Sequence, residues 1–303
     1  MASIRELKRR IKSVKNISQV TRAMQMVAAS RMRRAQERAL SSRPYAAKAW
    51  EILMHLASQS GNVEQLHPLL TQRSEIKDVA IILITADKGL AGAYNSNIIR
   101  KTTQFMRQNN HEDAQLITVG RKGRDLMIRF RRKVIAEFTD LPPLPSSLDI
   151  SPITRIAVDG FLAGEYDQVH LAYTDFINTL TQEPVVRSLL PIQPGEIESK
   201  VMSELLVSEG PTSSVEYLYE PSPETLLDSL LPRFTELQIY QAVLEARASE
   251  ESARMVAMRN ATDNAKELIS DLTLTYNKVR QDAITKEMLD IAGGAEALAK
   301  ASK

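Results

Sequence analysis

The sequence predicts a long antiparallel coiled coil of N- and C-terminal helices, with a Rossmann-like α/β domain inserted between them. Three observations predict it. Residues 222–298 carry a heptad seam, residues 1–60 carry a second helical pattern, and residues 76–220 between them alternate strand and helix signals. These ranges are the three expected domains.

The C-terminal stretch sets the scale. Pro232 is the last proline, and no glycine occurs between Gly210 and Gly293. Alternating steps of three and four from Leu227 reach Leu230, Phe234, Leu237, Leu244, Ala248, Met255, Met258, Ala265, Ile269, Leu272, Tyr276, Val279 and Ala283. Only Gln241, Glu251 and Thr262 interrupt that series. Such persistence belongs to a coiled-coil seam rather than to the stripe of a globular helix. Seventy helical residues would span about 105 Å at the usual rise. A compact domain cannot bury a rod of that length, so another helix or another chain must cover it.

The N-terminal segment supplies a partner helix. Ser3 with Glu6 three residues later reads as a capping box. Apolar positions follow at Ile4, Leu7, Ile11, Val14, Ile17, Val20, Met24 and Val27. The extra short step near Ile17 predicts a stammer that overwinds the coil. The seam then shifts through Ala28, Met32, Ala35 and Ala39, and Pro44 is expected to bend or interrupt the helix. A second helical stretch covers Ala46 to Gln59, and Gly61 ends it.

The middle reads as strand Val79–Thr85, a turn from Gly89, and a helix to about Asn109. Then come strand Ala114–Val119, helix Arg121–Arg131 and strand Lys133–Phe138. The proline-rich Leu141–Pro152 reads as a loop. A helix Ile153–Gly164 and strands Gln168–Asn178 and Val185–Ile192 follow, then an irregular stretch Pro191–Pro223. This order predicts a mostly parallel sheet with helices on both faces. Ser222-Pro223 is a helix start, and Pro232 predicts a kink or restart.

Composition narrows the chemistry. With no cysteine, disulfides and thiolate chemistry are excluded. His55, His67, His111 and His170 are scattered, without the spacing of a metal cluster. The apolar run Val79–Ile84 is too short to span a bilayer, and no hydrophobic signal segment opens the chain. Net charge is +2, unevenly placed. Arg5, Lys8, Arg9, Arg10, Lys12, Lys15, Arg22, Arg31, Arg33, Arg34 and Arg38 face only Glu6 and Glu37 in the first 38 residues. That asymmetry points to an acidic partner surface.

No catalytic, cofactor or metal residues emerge. Ile84–Asn95 is a glycine-containing strand-to-helix turn, but its spacing matches neither the phosphate loop nor the dinucleotide fingerprint, so structural packing is its expected role. Gly120-Arg-Lys-Gly-Arg124 reads as a solvated turn. The carboxylates Glu250, Glu251, Asp263, Glu267, Asp271, Asp282, Glu287 and Asp290 alternate with basic residues, as on an exposed helix face. The segment Asp282–Leu298 is different. It extends past the point where the first helix can pair with it, yet keeps Ile284, Met288, Leu289, Ile291, Ala292 and Leu298. An apolar helix end without an internal partner implies an external one.

Several separate stretches resemble one family, the γ subunit of F-type ATP synthase. They are Thr21–Arg34 (TRAMQMVAASRMRR), Asp87–Asn95 (DKGLAGAYN), Ala253–Ala265 (ARMVAMRNATDNA), Tyr276–Gln281 (YNKVRQ) and Ile284–Glu296 (ITKEMLDIAGGAE). The resemblance runs from end to end and in the family's order. It implies a central stalk inside an α3β3 hexamer, with its base beside the ε subunit and the membrane c-ring, one copy per complex. It would couple proton translocation to ATP synthesis or hydrolysis on the β subunits, binding no cofactor itself. It implies partner contacts at Met24, Met26, Arg31, Arg33 and Arg34 near the β subunit's acidic lever. Arg280, Gln281, Thr285 and Glu287 would lie in a catch at the upper shaft, with Met288, Leu289 and Ile291 in an apolar sleeve. A peripheral position on the cytoplasmic side of a bacterial membrane follows. Two other readings remain: an α/β enzyme with dimerising helical arms, and a basic coiled coil on nucleic acid.

Overall fold

The computed structural model describes residues 3–59, 67–73, 75–192 and 223–301. The expected helix end at Gly61, the Ser222 cap and most of the irregular stretch 191–223 fall outside the described residues.

Two helices dominate. Helix α1 spans Ile4–Gln59, and Pro44 lies within it. The helix C-terminal to the sheet, α5 below, spans Pro223–Ala301 with Pro232 inside. Neither proline ends its helix, contrary to the expected interruption near Pro44 and restart at Pro232. A proline deletes a single intrahelical bond. At Pro232 the flanking Leu231, Phe234 and Thr235 are all buried, so packing holds the helix through that defect.

Between them lies a five-stranded sheet: β1 Val79–Ile84, β2 Gln115–Val119, β3 Val134–Phe138, β4 Gln168–Phe176 and β5 Gln182–Leu190. Their spatial order is β3-β2-β1-β4-β5. Every pairing is parallel except β4 with β5. The intervening helices are α2 Tyr94–Gln108, α3 Arg121–Arg129 and α4 Ser147–Ala163. The α4 start corrects the expected loop to Pro152. The Ser146 N-cap and Asp149 form a capping box that starts the helix ahead of the proline.

β1 is buried on both faces, as its unbroken apolar run requires. Val79, Ile81 and Leu83 pack with Ile98, Ile99 and Met106 of α2 and Met127 of α3. Ala80, Ile82 and Ile84 turn the other way, toward Ile150, Ile153 and Phe161 of α4 and Leu231, Phe234, Ile239 and Val243 of α5. The long helix is therefore part of the domain core, not an appendage to it.

The chain divides into two compact units, residues 28–254 and residues 1–27 with 255–303. In the first, Arg31 of α1 meets Glu251 of α5 at 3.6 Å, and the Arg38 Nε donates to the Tyr240 hydroxyl at 3.4 Å. As α1 advances its α5 partner recedes, so the two helices run antiparallel. In the second unit, Leu7 and Thr21 of α1 and Met258, Thr262 and Ala265 of α5 are buried.

The α1 seam differs from the expected one. Leu7, Thr21, Ala28, Met32 and Ala35 are buried, with Ile4, Ile11, Val14 and Ser18 half-buried. Ile17 and Val20 are 52% and 58% exposed, and Val27 is exposed too. The run 4, 7, 11, 14, 18, 21 keeps strict alternation of three and four, so there is no stammer. The polar Thr21 takes the seam position because Thr262 sits opposite, with the two hydroxyls 2.7 Å apart.

Candidate partner-binding surfaces and the sealed crevice

An open parallel sheet offers its ligand crevice at the C-terminal strand ends, where strand order reverses. Here that place lies between β1 and β4, beside the loop that follows β1. Thr85 follows β1 and donates through Oγ1 to the Val119 and Gly120 carbonyls at 3.2 and 3.3 Å. The Gly123 amide donates back to that hydroxyl at 2.9 Å. A side chain at Gly120 has no room, since an added Cβ would meet the Thr85 carbonyl oxygen at 2.2 Å, and φ there is +97°. Asn95 Oδ1 accepts from the Ala86 amide at 2.9 Å, and Asp87 accepts from the Arg121 amide at 3.1 Å.

Helix α5 then closes the crevice. The buried Tyr94 donates its hydroxyl to the Ala246 carbonyl at 3.1 Å. Burial, then the charge of Glu250, pushes that hydroxyl's pKa well above its ordinary value, so it stays a donor. Arg247 reaches Asp87 at 3.6 Å, Glu250 at 3.1 Å and the Leu141 carbonyl at 3.2 Å. Arg254 meets Glu250 at 2.5 Å, Glu251 at 2.8 Å and the Gly89 carbonyl at 3.5 Å. Glu251 continues to Arg31. Asp87, Arg247, Glu250, Arg254, Glu251 and Arg31 thus form one ion chain joining the β1–α2 turn, α5 and α1. Burial works against the Arg254 charge, but Glu250 and Glu251 outweigh it and hold its pKa above the usual value.

This corrects the expected exposed helix face at Glu250 and Glu251: both are buried, as is Arg254. Buried carboxylates survive only when paired. The clue in the sequence was Glu251 standing at a seam position, with Arg247, Glu250 and Arg254 at helix-neighbour spacing.

The residues matched to the family's partner contacts are mostly on the surface. Met26 is 62% exposed and Met24 half-buried. Arg33 and Arg34 are exposed, while Arg31 is exposed yet turned to Glu251. They share one helix with the exposed Ile17, Val20 and Val27, whose position outside the coil went unrecognised in the sequence. On α5, seam burial stops at Val279. Arg280, Gln281, Thr285 and Glu287 are exposed, and Met288, Leu289 and Ile291 are 60%, 66% and 68% exposed. Ile284, Met288 and Ile291, at helical spacing, line one face. The N-terminal contacts and the tip form two separate sets along the helices, not one constellation. Among the described residues, no group of three acidic, histidine or cysteine side chains is placed to hold a metal ion. None of the described helices is long and apolar enough to cross a membrane.

A family model described as ATP synthase matches residues 3–298. The chain belongs to the ATP synthase γ-chain family. The ATP synthase gamma chain of Dehalococcoides mccartyi strain CBDB1 is 50% identical over 299 residues, covering 99% of this chain and 100% of that one. That of Roseiflexus castenholzii is 48% identical over 302 residues, covering 99% and 100%. A chain from the central stalk/c-ring structure of Tetrahymena thermophila mitochondrial ATP synthase superposes with a TM-score of 0.59 at 26% identity. It covers 80% of this chain and 99% of that one. One from the OSCP/F1/c-ring structure of the Euglena gracilis enzyme shares the fold at a TM-score of 0.66 and 19% identity, covering 99% and 96%. The role is that of the central stalk subunit, within a membrane-associated rotary ATPase.

Proposed function

We propose that this chain is the rotating shaft of the complex and carries no catalytic centre of its own. The single observation that carries the reading is the end of α5. From Arg280 to Gly293 every described residue is exposed, including Ile284, Met288, Leu289 and Ile291. Left in water, that apolar stripe forgoes about 25 cal/mol for each Å² it could bury. A sleeve formed by three α and three β subunits buries it without requiring one fixed rotational setting.

In this reading residues 1–60 and 222–298 make the shaft and residues 76–220 make its base, beside the ε subunit and the c-ring. One copy serves each complex. Met24, Met26, Arg31, Arg33 and Arg34 meet the hexamer's acidic lever. Arg280, Gln281, Thr285 and Glu287 form the upper catch, and Met288, Leu289 and Ile291 enter the sleeve. Proton flow turns ring and shaft together, and the asymmetric shaft biases the three β subunits toward different nucleotide affinities. The complex sits on a bacterial membrane with this chain peripheral on the cytoplasmic side. Support for a non-catalytic role comes from the crevice itself, where Tyr94, Asp87, Arg247 and Glu250 occupy the place a substrate would take.

Reconstitution tests it. The full chain and a version ending at Arg280 are each mixed with separately purified α and β subunits. The full chain is expected to join the hexamer one to one and to raise ATP hydrolysis above that of α and β alone. The truncated chain is expected to assemble more weakly or turn over more slowly. A full chain that leaves assembly and turnover unchanged would contradict the proposal.

A further inference from the structure

Residues 67–73 precede β1 in the chain and are held at two points of different chemistry. The first is His67, the N-cap of a short 3-10 turn, Pro68–Leu70. Pro68 has no amide hydrogen, so the first amide of the turn that needs an acceptor is that of Leu69. Leu69 is fully buried, and its amide must find that acceptor within the protein. It donates to His67 Nδ1 at 3.0 Å. The other ring nitrogen, Nε2, stands 3.2 Å from Asp228 Oδ1 on α5. A neutral imidazole carries one proton. With Nδ1 accepting, that proton sits on Nε2 and faces the carboxylate. The turn seats Leu69 and Leu70 in the core with Ile153 and Phe161 of α4, Leu231 of α5 and Ile192. The Leu69 carbonyl accepts from the Ile192 amide at 2.9 Å, and the His67 carbonyl from the Leu70 amide at 2.9 Å. The second point is Arg73, which donates to Asp167 Oδ1 at 2.9 Å and to the Phe161 carbonyl at 2.8 Å. Asp167 Oδ2 also accepts from the Lys77 and Asp78 amides at 2.7 and 2.9 Å.

We propose that His67 is an acid-released latch: in its neutral form it pins the Pro68–Leu70 turn to α5 and the core, and protonation at Nδ1 frees that end of the segment while the Arg73 end holds. An imidazolium donates from both nitrogens, so Nδ1–H would confront the Leu69 N–H and leave that buried amide without its acceptor. Burial lowers the ring's pKa from its ordinary value, and the Asp228 charge acts the other way without offsetting it. Among the described residues, Asp228 is the charge acting on the ring. Freed from its site, His67 protonates at about 6.5, so the docked segment takes the proton less readily than the opened one. Docking is therefore favoured in full above that value and loses ground as pH falls below it. The Arg73 end keeps its charges over the same range. Burial raises the Asp167 pKa, but the Asp78 and Lys77 amides and Arg73 outweigh it and hold it below its ordinary value. The latch does not depend on the rotor reading, since it concerns only how residues 67–73 are held on their own domain.

Hydrogen exchange on the full chain, read at single amides and corrected for intrinsic pH dependence, tests the latch. Between pH 7.5 and pH 5.5, protection at Leu69, Leu70 and Ile192 is expected to fall severalfold, with about tenfold the limit for one group that titrates only when opened. Lys77 and Asp78, anchored through Asp167, are expected to keep theirs. His67→Asn retains an N-cap acceptor but has no proton to gain, and is expected to abolish the fall. The chain has four histidines, so isotopic labelling of histidine nitrogen lets magnetic resonance read the ring directly. At pH 7.5 the proton is expected on Nε2, and Asp228→Asn is expected to move the ring's midpoint to lower pH. A His67→Asn chain that keeps the full loss on acidification would overturn the proposal. So would equal losses at Lys77 and Asp78, a proton found on Nδ1, or a midpoint that Asp228→Asn leaves unmoved.

Discussion

Arg254 shows how one side chain holds a junction. It bridges Glu250 and Glu251 and touches the Gly89 carbonyl, with all three charged groups buried. Replacing it by methionine keeps the bulk but leaves the buried Glu250 with Arg247 alone and the buried Glu251 with the more distant Arg31 alone. Denaturant titration of Arg254→Met is expected to show a loss of about 3–5 kcal/mol, the usual result of breaking a buried pair. A variant that also carries Glu250→Gln and Glu251→Gln should recover much of it. Gly160 is a second sensitive point. An added Cβ there would meet the Tyr166 ring at 2.1 Å. Gly160→Ala should cost about 1–3 kcal/mol by overpacking, and thermal melts would reveal it. The Arg254 pairs lie at helix spacing in the sequence, but their burial was not readable there, and the Gly160 effect depends on Tyr166, a neighbour that only the fold supplies.

At the scale of elements, the coil turns on Thr21 and Thr262. Thr21 also bonds the Ser18 carbonyl at 3.1 Å, and Thr262 the Met258 carbonyl at 2.8 Å. Each hydroxyl has one proton, so whichever donates across the seam gives up its own carbonyl. Each single change to valine leaves the other hydroxyl without its cross-helix partner and should destabilise by about 1 kcal/mol. The double change should be neutral or stabilising, because both polar groups leave together. A double-mutant cycle measures the coupling. This pair also explains why the α1 seam was misread. Hydrophobicity alone selects Ile17 and Val20, but the covered positions are the half-buried Ser18 and the buried Thr21, whose hydroxyl meets that of Thr262. The C-terminal seam was legible because its apolar residues persist over many heptads. The sheet was legible because β1 is an unbroken apolar run rich in β-branched residues. The α4 start was hidden by Pro152, which the Ser146 capping box outweighs.

The whole molecule is a set of long helices whose apolar surface is only partly satisfied internally. Near the sheet, α5 is a core element with Phe234, Ile239 and Val243 buried. At its far end it carries exposed Met288, Leu289 and Ile291. The family was legible from separated motifs, and the comparisons bear it out. The partner contacts were inferred by matching positions, and burial shows only that most of them are available. The absence of cysteine makes the decisive measurement clean, since any introduced thiol is unique. Single-cysteine chains, Ile291→Cys at the tip and Leu148→Cys on the α/β domain, are labelled with a maleimide, free and in the reconstituted complex. The shaft account predicts that assembly slows labelling at Ile291→Cys at least tenfold, about 1.4 kcal/mol of protection, while Leu148→Cys stays reactive. Equal labelling of Ile291→Cys in the free and assembled chain would contradict it.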